Sequence, residues 1–148
     1  MKLKRVLKDL SNEFFVEVIE EIKSFSLDTL CVNDSAISVN AGDCMCIWFS
    51  NEGALLELEC ISPKVLTDIP VCKGIELEIG LPLFDYKSSG KEVAIYNSDN
   101  ELFFVWGDIF GSDFISSSNG KFYISDGELV GVSASKFFRP PKRPQDNK

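Results

Sequence analysis

From Ser11 the chain reads "SNEFFVEVIEEIKSF", which spaces Phe15, Val18, Ile19, Ile22 and Phe25 or Ser26 at helical intervals, while Glu13, Glu17, Glu20 and Glu21 fall on the other side. The pattern predicts an amphipathic helix, capped by Ser11 or Asn12, with Glu13 where the helix dipole favours an anion. Leu3, Val6, Leu7 and Leu10 extend the stripe upstream, so one long helix or two short ones broken near Ser11 would fit. The β-branched and aromatic content also permits a strand over 14–19, as the lesser alternative.

After Leu27 the period changes. Residues 30–32, 37–39, 45–49 and 54–61 are short apolar or alternating runs divided by "NDS", "NAGD" and "SNEG", all turn chemistry. In "ALLELECI" Leu56, Leu58 and Cys60 share one face and Glu57 and Glu59 the other; "IELEI" repeats the device, with Ile75, Leu77 and Ile79 expected inward and Glu76 and Glu78 outward. The intervening "SPKVLTDIPVCKG" reads as a loop with room for one helical turn. Further strands are expected at 93–96, 102–106, 114–117, 121–124 and 129–132, with Asn119-Gly120 and Asp126-Gly127 as tight hairpin turns. Strands adjacent in sequence are then expected side by side in the sheet. The fold class predicted is α+β: an N-terminal amphipathic helix packed on a largely antiparallel sheet or half-barrel with a C-terminal β-meander. Residues 1–138 form the single domain, and the basic, proline-rich 139–148 is expected to be a disordered tail.

Charge sharpens this picture. The net formal charge of the 148 residues is −8, yet the first nine and the last ten residues each carry +3, which leaves −14 for 10–138, where seven lysines face twenty-one carboxylates. Such a body repels nucleic acid and anionic membrane and steers basic partners toward itself. No uncharged apolar run approaches the roughly 18 to 20 residues of a membrane helix, and charges interrupt the basic opening "MKLKRVLKDL", so neither a membrane span nor a secretion signal is expected. Cys31, Cys44, Cys46, Cys60 and Cys72 are odd in number and sit mostly among apolar neighbours, as reduced cytoplasmic thiols do. Their gaps of 13, 2, 14 and 12, with no histidine in the chain, do not fit a zinc site. "CMCIWF" reads instead as a strand buried on both faces.

Candidate chemistry is sparse. Without histidine the commonest general base is missing, and there is no Gly-x-Ser-x-Gly and no phosphate-cradling glycine loop. "SASK" sets Ser133 three residues before Lys136, the spacing of a Ser-Lys dyad, but lacks that dyad's companion motifs. "NSDNE" at 97–101 resembles the start of a calcium loop without its glycine and terminal glutamate, and reads as a turn. What remains are carboxylates beside aromatics in turns: Asp85 with Tyr86, Asp108 with Trp106 and Phe110, and Asp113 with Phe114. Rings that fill pockets and acids that pair with Lys or Arg suit an interface to a basic protein.

In size, acidity and general character the whole chain resembles the bacterial immunity proteins that accompany polymorphic and contact-dependent growth-inhibition toxins. The resemblance implies a cytoplasmic protein that is not an enzyme, uses no cofactor or metal, binds neither nucleic acid nor membrane, and neutralises a cognate toxin domain, often a basic nuclease. The partner-binding residues expected from charge and turns are Asp85, Tyr86, Trp106, Asp108, Phe110 and Asp113. A secretion chaperone for an effector protein and a small-ligand-binding domain are the alternative classes.

Overall fold

A computed structural model describes residues 1–29, 36–42, 44–85, 87 and 92–136. In chain order its strands are β1 (Leu3–Leu7), β2 (Phe15–Ile19), β3 (Ser24–Asp28), β4 (Ile37–Ala41), β5 (Met45–Phe49), β6 (Leu55–Ile61) and β7 (Lys64–Leu66). They continue with β8 (Glu76–Ile79), β9 (Leu81–Phe84), β10 (Ala94–Asn97), β11 (Glu101–Val105), β12 (Asp113–Ser117), β13 (Gly120–Ser125) and β14 (Glu128–Ser135). One sheet has five strands in the order β2-β3-β6-β5-β4, a second has seven in the order β7-β10-β11-β14-β13-β12-β8, and β1 pairs with β9 as a separate ribbon. The pairing is antiparallel except where β7 joins β10 and β8 joins β12.

This overturns the expected α+β class: the fold is all-β. Among the described residues the only helical segment is a 3-10 turn, Glu20–Ile22, and the stretch assigned to an amphipathic helix is the β2–β3 hairpin. Lys23, at φ 50°, makes the reversal, and its N–H donates to the Glu20 carbonyl at 3.2 Å. The helical stripe would have buried Ile22, which is 60% exposed, whereas Phe14 and Leu27, off that stripe, are fully buried. Once β3 can pair with β6, five ladder positions reward the extended form, and the Phe- and Val-rich sequence already favours it. Leu3, Val6 and Leu7 likewise belong to β1, not to an upstream helix.

The C-terminal meander is also corrected. β12, β13 and β14 do follow one another through hairpins, but β14 then inserts beside β11, so the chain from β11 crosses over to reach β12 in a Greek-key path. The turn at 126–127 has the expected geometry, with Asp126 at φ 52° and Gly127 at φ 77°. At the other hairpin the turn residues are Ser118, at φ 54°, and Asn119; Gly120 already pairs with Ser117. Gly120 is needed for space, since a Cβ there would lie 2.6 Å from the Phe14 ring. Asn119 is a clamp: its amide donates to the Phe14 and Ser135 carbonyls at 2.8 and 3.1 Å and its oxygen accepts the Phe14 N–H at 2.8 Å. The strand expected at 30–32 and the tail at 139–148 lie outside the described residues.

The two large sheets share one core. Phe25, Leu27, Ile47, Phe49, Leu55 and Leu58 from the first meet Ile95, Leu102, Phe104, Ile115, Phe122 and Val132 from the second. A register shift opposite Trp48/Phe49 sends Leu55 inward and leaves Leu56 half-buried, against the face expected for Leu56. Aromatic rings bridge the layers: Phe49 to Phe84 at 6.5 Å, Phe84 to Phe122 at 5.9 Å, and Phe122 to Phe14 at 5.9 Å. "CMCIWF" supplies a strand as expected, but with one inner face: Met45, Ile47 and Phe49 are buried while Cys46 and Trp48 are half-buried. A smaller cluster of Phe103, Ile109, Tyr123 and Val130, joined by Cys72 and Phe114, is separate from that core.

Candidate protein interface

That smaller cluster holds up one corner of the molecule. The loop from β11 to β12 folds over it: Ile109 is buried, Ser112 Oγ donates to the Ile109 carbonyl at 2.7 Å, and the Asp108 carboxylate accepts the Phe110 N–H at 3.0 Å. Residues 72–75 are stitched onto this loop. The Lys73 N–H donates to the Phe110 carbonyl at 3.1 Å, the Cys72 thiol donates to the Ser112 carbonyl at 3.1 Å, and the Ile75 N–H donates to the Asp113 carboxylate at 3.0 Å. Gly74 permits the contact, because a Cβ would stand 1.9 Å from the Ser112 carbonyl oxygen. Phe110 remains 54% exposed with the Lys73 ammonium 5.1 Å from its ring centre. Beneath, burial pushes the Tyr123 phenol up to about 12, and its hydroxyl pairs with Ser133 at 3.0 Å.

β8 leaves this corner as the last strand of the seven-stranded sheet, and no strand among the described residues pairs with its outer side. The expectation that Ile75, Leu77 and Ile79 face inward is overturned: they are 68, 44 and 63% exposed. A bulge opposite Phe114/Ile115 sets Glu76 across from Phe114 and Glu78 across from Ile115, so the alternation read from the sequence does not survive as two clean faces. Leu77 and Glu78 instead line a groove of about 490 Å³ with Leu3, Arg5, Val6 and Ile115. With Ile69 and Val71 also exposed, the run 69–79 and Phe110 gather most of the large apolar side chains that the described residues present to solvent.

The structure therefore brings Asp108, Phe110 and Asp113 together and separates them from the rest of the expected set. Trp106 is buried, and its indole N–H donates to the Leu129 carbonyl at 2.8 Å, so it packs into the core. Asp85 latches the N-terminus: its carboxylate accepts the Lys2 N–H at 2.8 Å and stands 3.8 Å from the terminal ammonium. Burial opposes its ionisation, but the Lys2 hydrogen bond, the terminal ammonium and Lys87 outweigh it and hold its pKa below the usual aspartate value. Tyr86 lies outside the described residues. Sequence reading missed Ile69, Val71, Ile75, Leu77 and Ile79; the signal was the brevity of "IELEI" between Gly74 and Gly80, since short charged strands are typical of sheet edges.

Other candidates resolve into structure. Ser133 pairs with Tyr123, while the Lys136 ammonium donates to the Asn97 side chain and the Ser98 carbonyl, so "SASK" is not a dyad. Residues 97–101 are a turn in which Ser98 Oγ accepts the Glu101 N–H at 3.0 Å. A cleft of about 480 Å³ lined by Leu7, Leu10, Asn12, Thr29, Leu56 and Leu83 is mainly apolar, and Asn12 and Thr29 direct their side-chain donors to the Leu55 and Leu56 carbonyls.

No protein-family model and no curated protein sequence matches this chain. Among the described residues no helix is long and apolar enough to cross a membrane.

Proposed function

We propose that this protein is an immunity-type inhibitor that captures a cognate basic toxin domain in the cytoplasm, and that binding rather than bond-making is its task. The observation that carries the reading is the outer edge of β8, unpaired among the described residues, where exposed Ile75, Leu77 and Ile79 alternate in sequence with Glu76 and Glu78 beside the Phe110 corner. Exposed apolar side chains interspersed with charge suit a protein-binding surface. The free N–H and C=O groups of an edge strand accept an added strand, and side chains then set which strand fits. A two-fold pairing of β8 with a second copy in the register centred on Leu77 would set Glu76 opposite Glu78, a like-charge pair that costs stability. An extended partner segment with Lys or Arg opposite those carboxylates gains instead, and the −14 body steers it in.

The test first asks whether the reading frame next to this one encodes a secreted protein ending in a basic domain, then takes that domain as the partner in stopped-flow association kinetics over a salt series. Neutralising Glu76, Glu78 and Asp108 together (E76Q/E78Q/D108N) is expected to slow association by about tenfold at low salt and to flatten the salt dependence, as rim charges act on the on-rate. Leu77→Ser with Ile79→Ser is expected to raise the dissociation rate by at least about tenfold. Unchanged kinetics in both variants would remove β8 as the docking edge, and absence of any complex would remove the immunity reading itself.

A further inference from the structure

We infer that Cys44 and Cys60 form an oxidant-modification site, which a hydroperoxide converts to a disulfide joining the start of β5 to β6. Their sulfur atoms lie 3.3 Å apart. β5 and β6 are already neighbours, with Met45 opposite Cys60 and the Ile61 N–H donating to the Cys44 carbonyl at 3.0 Å. Cys44 lies just before β5, one step off the ladder pair Met45/Cys60, and the sulfur contact itself places the two side chains within reach of a disulfide bond. Cys60 is fully buried, whereas Cys44 is partly exposed in a groove of about 590 Å³ with Asn40, Gly42, Cys46 and Glu59. Access assigns the roles.

Cys44 meets the oxidant first. Its thiolate attacks one peroxide oxygen and the O–O bond breaks, leaving a sulfenic acid on Cys44, while the second oxygen leaves as hydroxide or alkoxide and is protonated to water or the alcohol. The Cys60 sulfur then attacks the Cys44 sulfur; the S–O bond breaks, and the departing hydroxyl leaves as water with the Cys60 proton. Two thiols lose two electrons and the peroxide gains them. Burial, followed by the neighbouring Cys44, pushes the Cys60 thiol up, so Cys60 does not start the reaction, and its role as the resolving sulfur rests on its 3.3 Å contact with Cys44. Cys46 shares the groove, but burial and then the Glu59 and Glu57 carboxylates raise its pKa and disfavour its thiolate. Cys72 is held by the Ser112 carbonyl in the β11–β12 loop.

The experiment treats the full chain with one equivalent of hydrogen peroxide, alkylates the remaining thiols, and maps the peptides by mass spectrometry before and after reduction with dithiothreitol. The expected result is a Cys44–Cys60 crosslink with loss of two hydrogens, reversed by the reductant and retained in Cys46→Ser. In Cys60→Ala, Cys44 is expected to accumulate as sulfenic acid trapped by dimedone. Cys44→Ser, altered at a partly exposed site, keeps the test valid if the buried variant does not fold: it should leave Cys60 reduced and alkylated after unfolding. A dominant crosslink of Cys44 to Cys46 or Cys31, or overoxidation of Cys44 while Cys60 stays a free thiol in the unaltered chain, would overturn the assignment. None of these readouts involves the toxin domain.

Discussion

β6 and β8 are written in nearly the same pattern, "LLELECI" and "ELEI", yet they have opposite fates. β6 lies between β3 and β5, so both of its edges are paired, and Leu55, Leu58 and Cys60 are fully buried. Among the described residues β8 has β12 on one side only, and all four of its residues are exposed. The acids differ as well. Asp28 stands opposite Glu57 across the β3–β6 ladder and Trp48 opposite it on β5, so Glu57 is crowded, and burial, then Asp28 and Glu59, raise its pKa. Alternation thus makes a strand, but its place in the sheet decides whether its apolar face becomes core or interface.

The largest test of this contrast is a pair of leucines. Leu58→Ala is expected to cost about 2–5 kcal/mol in urea unfolding, as a buried leucine does, whereas Leu77→Ala on β8 should stay within about 0.5 kcal/mol. Equal costs would erase the distinction. Next comes the stitching that carries β8: Gly74→Ala forces a Cβ onto the Ser112 carbonyl, with an expected cost of about 1–3 kcal/mol, and hydrogen exchange should show lost protection at the Ile75 amide. Protection that persists would mean the 72–75 segment does not depend on that close approach.

The smallest effect lies on the polar side of β6. A carboxyl whose folded pKa is raised binds its proton more readily in the native state, so its contribution is fully present below the unfolded value and is lost as pH rises through the folded one. Glu57 should therefore make the protein somewhat more stable as the pH falls from neutrality toward the ordinary glutamate range of about 4.3, and Glu57→Gln should remove that component. At pH 7 the same substitution is expected to gain about 0.5 kcal/mol by relieving the opposed Asp28. Asp85 runs the other way: its lowered pKa supports the fold above the ordinary aspartate value, and that support fades as acid protonates the latch to the N-terminus. Thermal melts across pH for the parent, Glu57→Gln and Asp85→Asn separate the two signs.

Much of the strand content was legible from alternation and turn residues: β4, β5, β6 and β10 to β14 lie close to their expected positions, and Asp126-Gly127 makes the turn that its φ preferences dictate. The N-terminal hairpin was not, because Phe15, Val18, Ile22 and Phe25 satisfy a helical period by spacing alone, and only pairing of β3 with β6 breaks the tie. Of the interface set, Asp108 and Phe110 lie in the β11–β12 loop and Asp113 where β12 begins, close to where turn chemistry put them, but nothing in their order distinguishes buried Trp106 from exposed Phe110. What residue order determines by itself is local: period, turn conformation and net charge follow from side chains and their near neighbours. Which strand ends a sheet, which apolar face is covered and which two cysteines touch are decided only when distant segments compete for the same ladder positions, since burial belongs to the assembled sheets and not to any one strand.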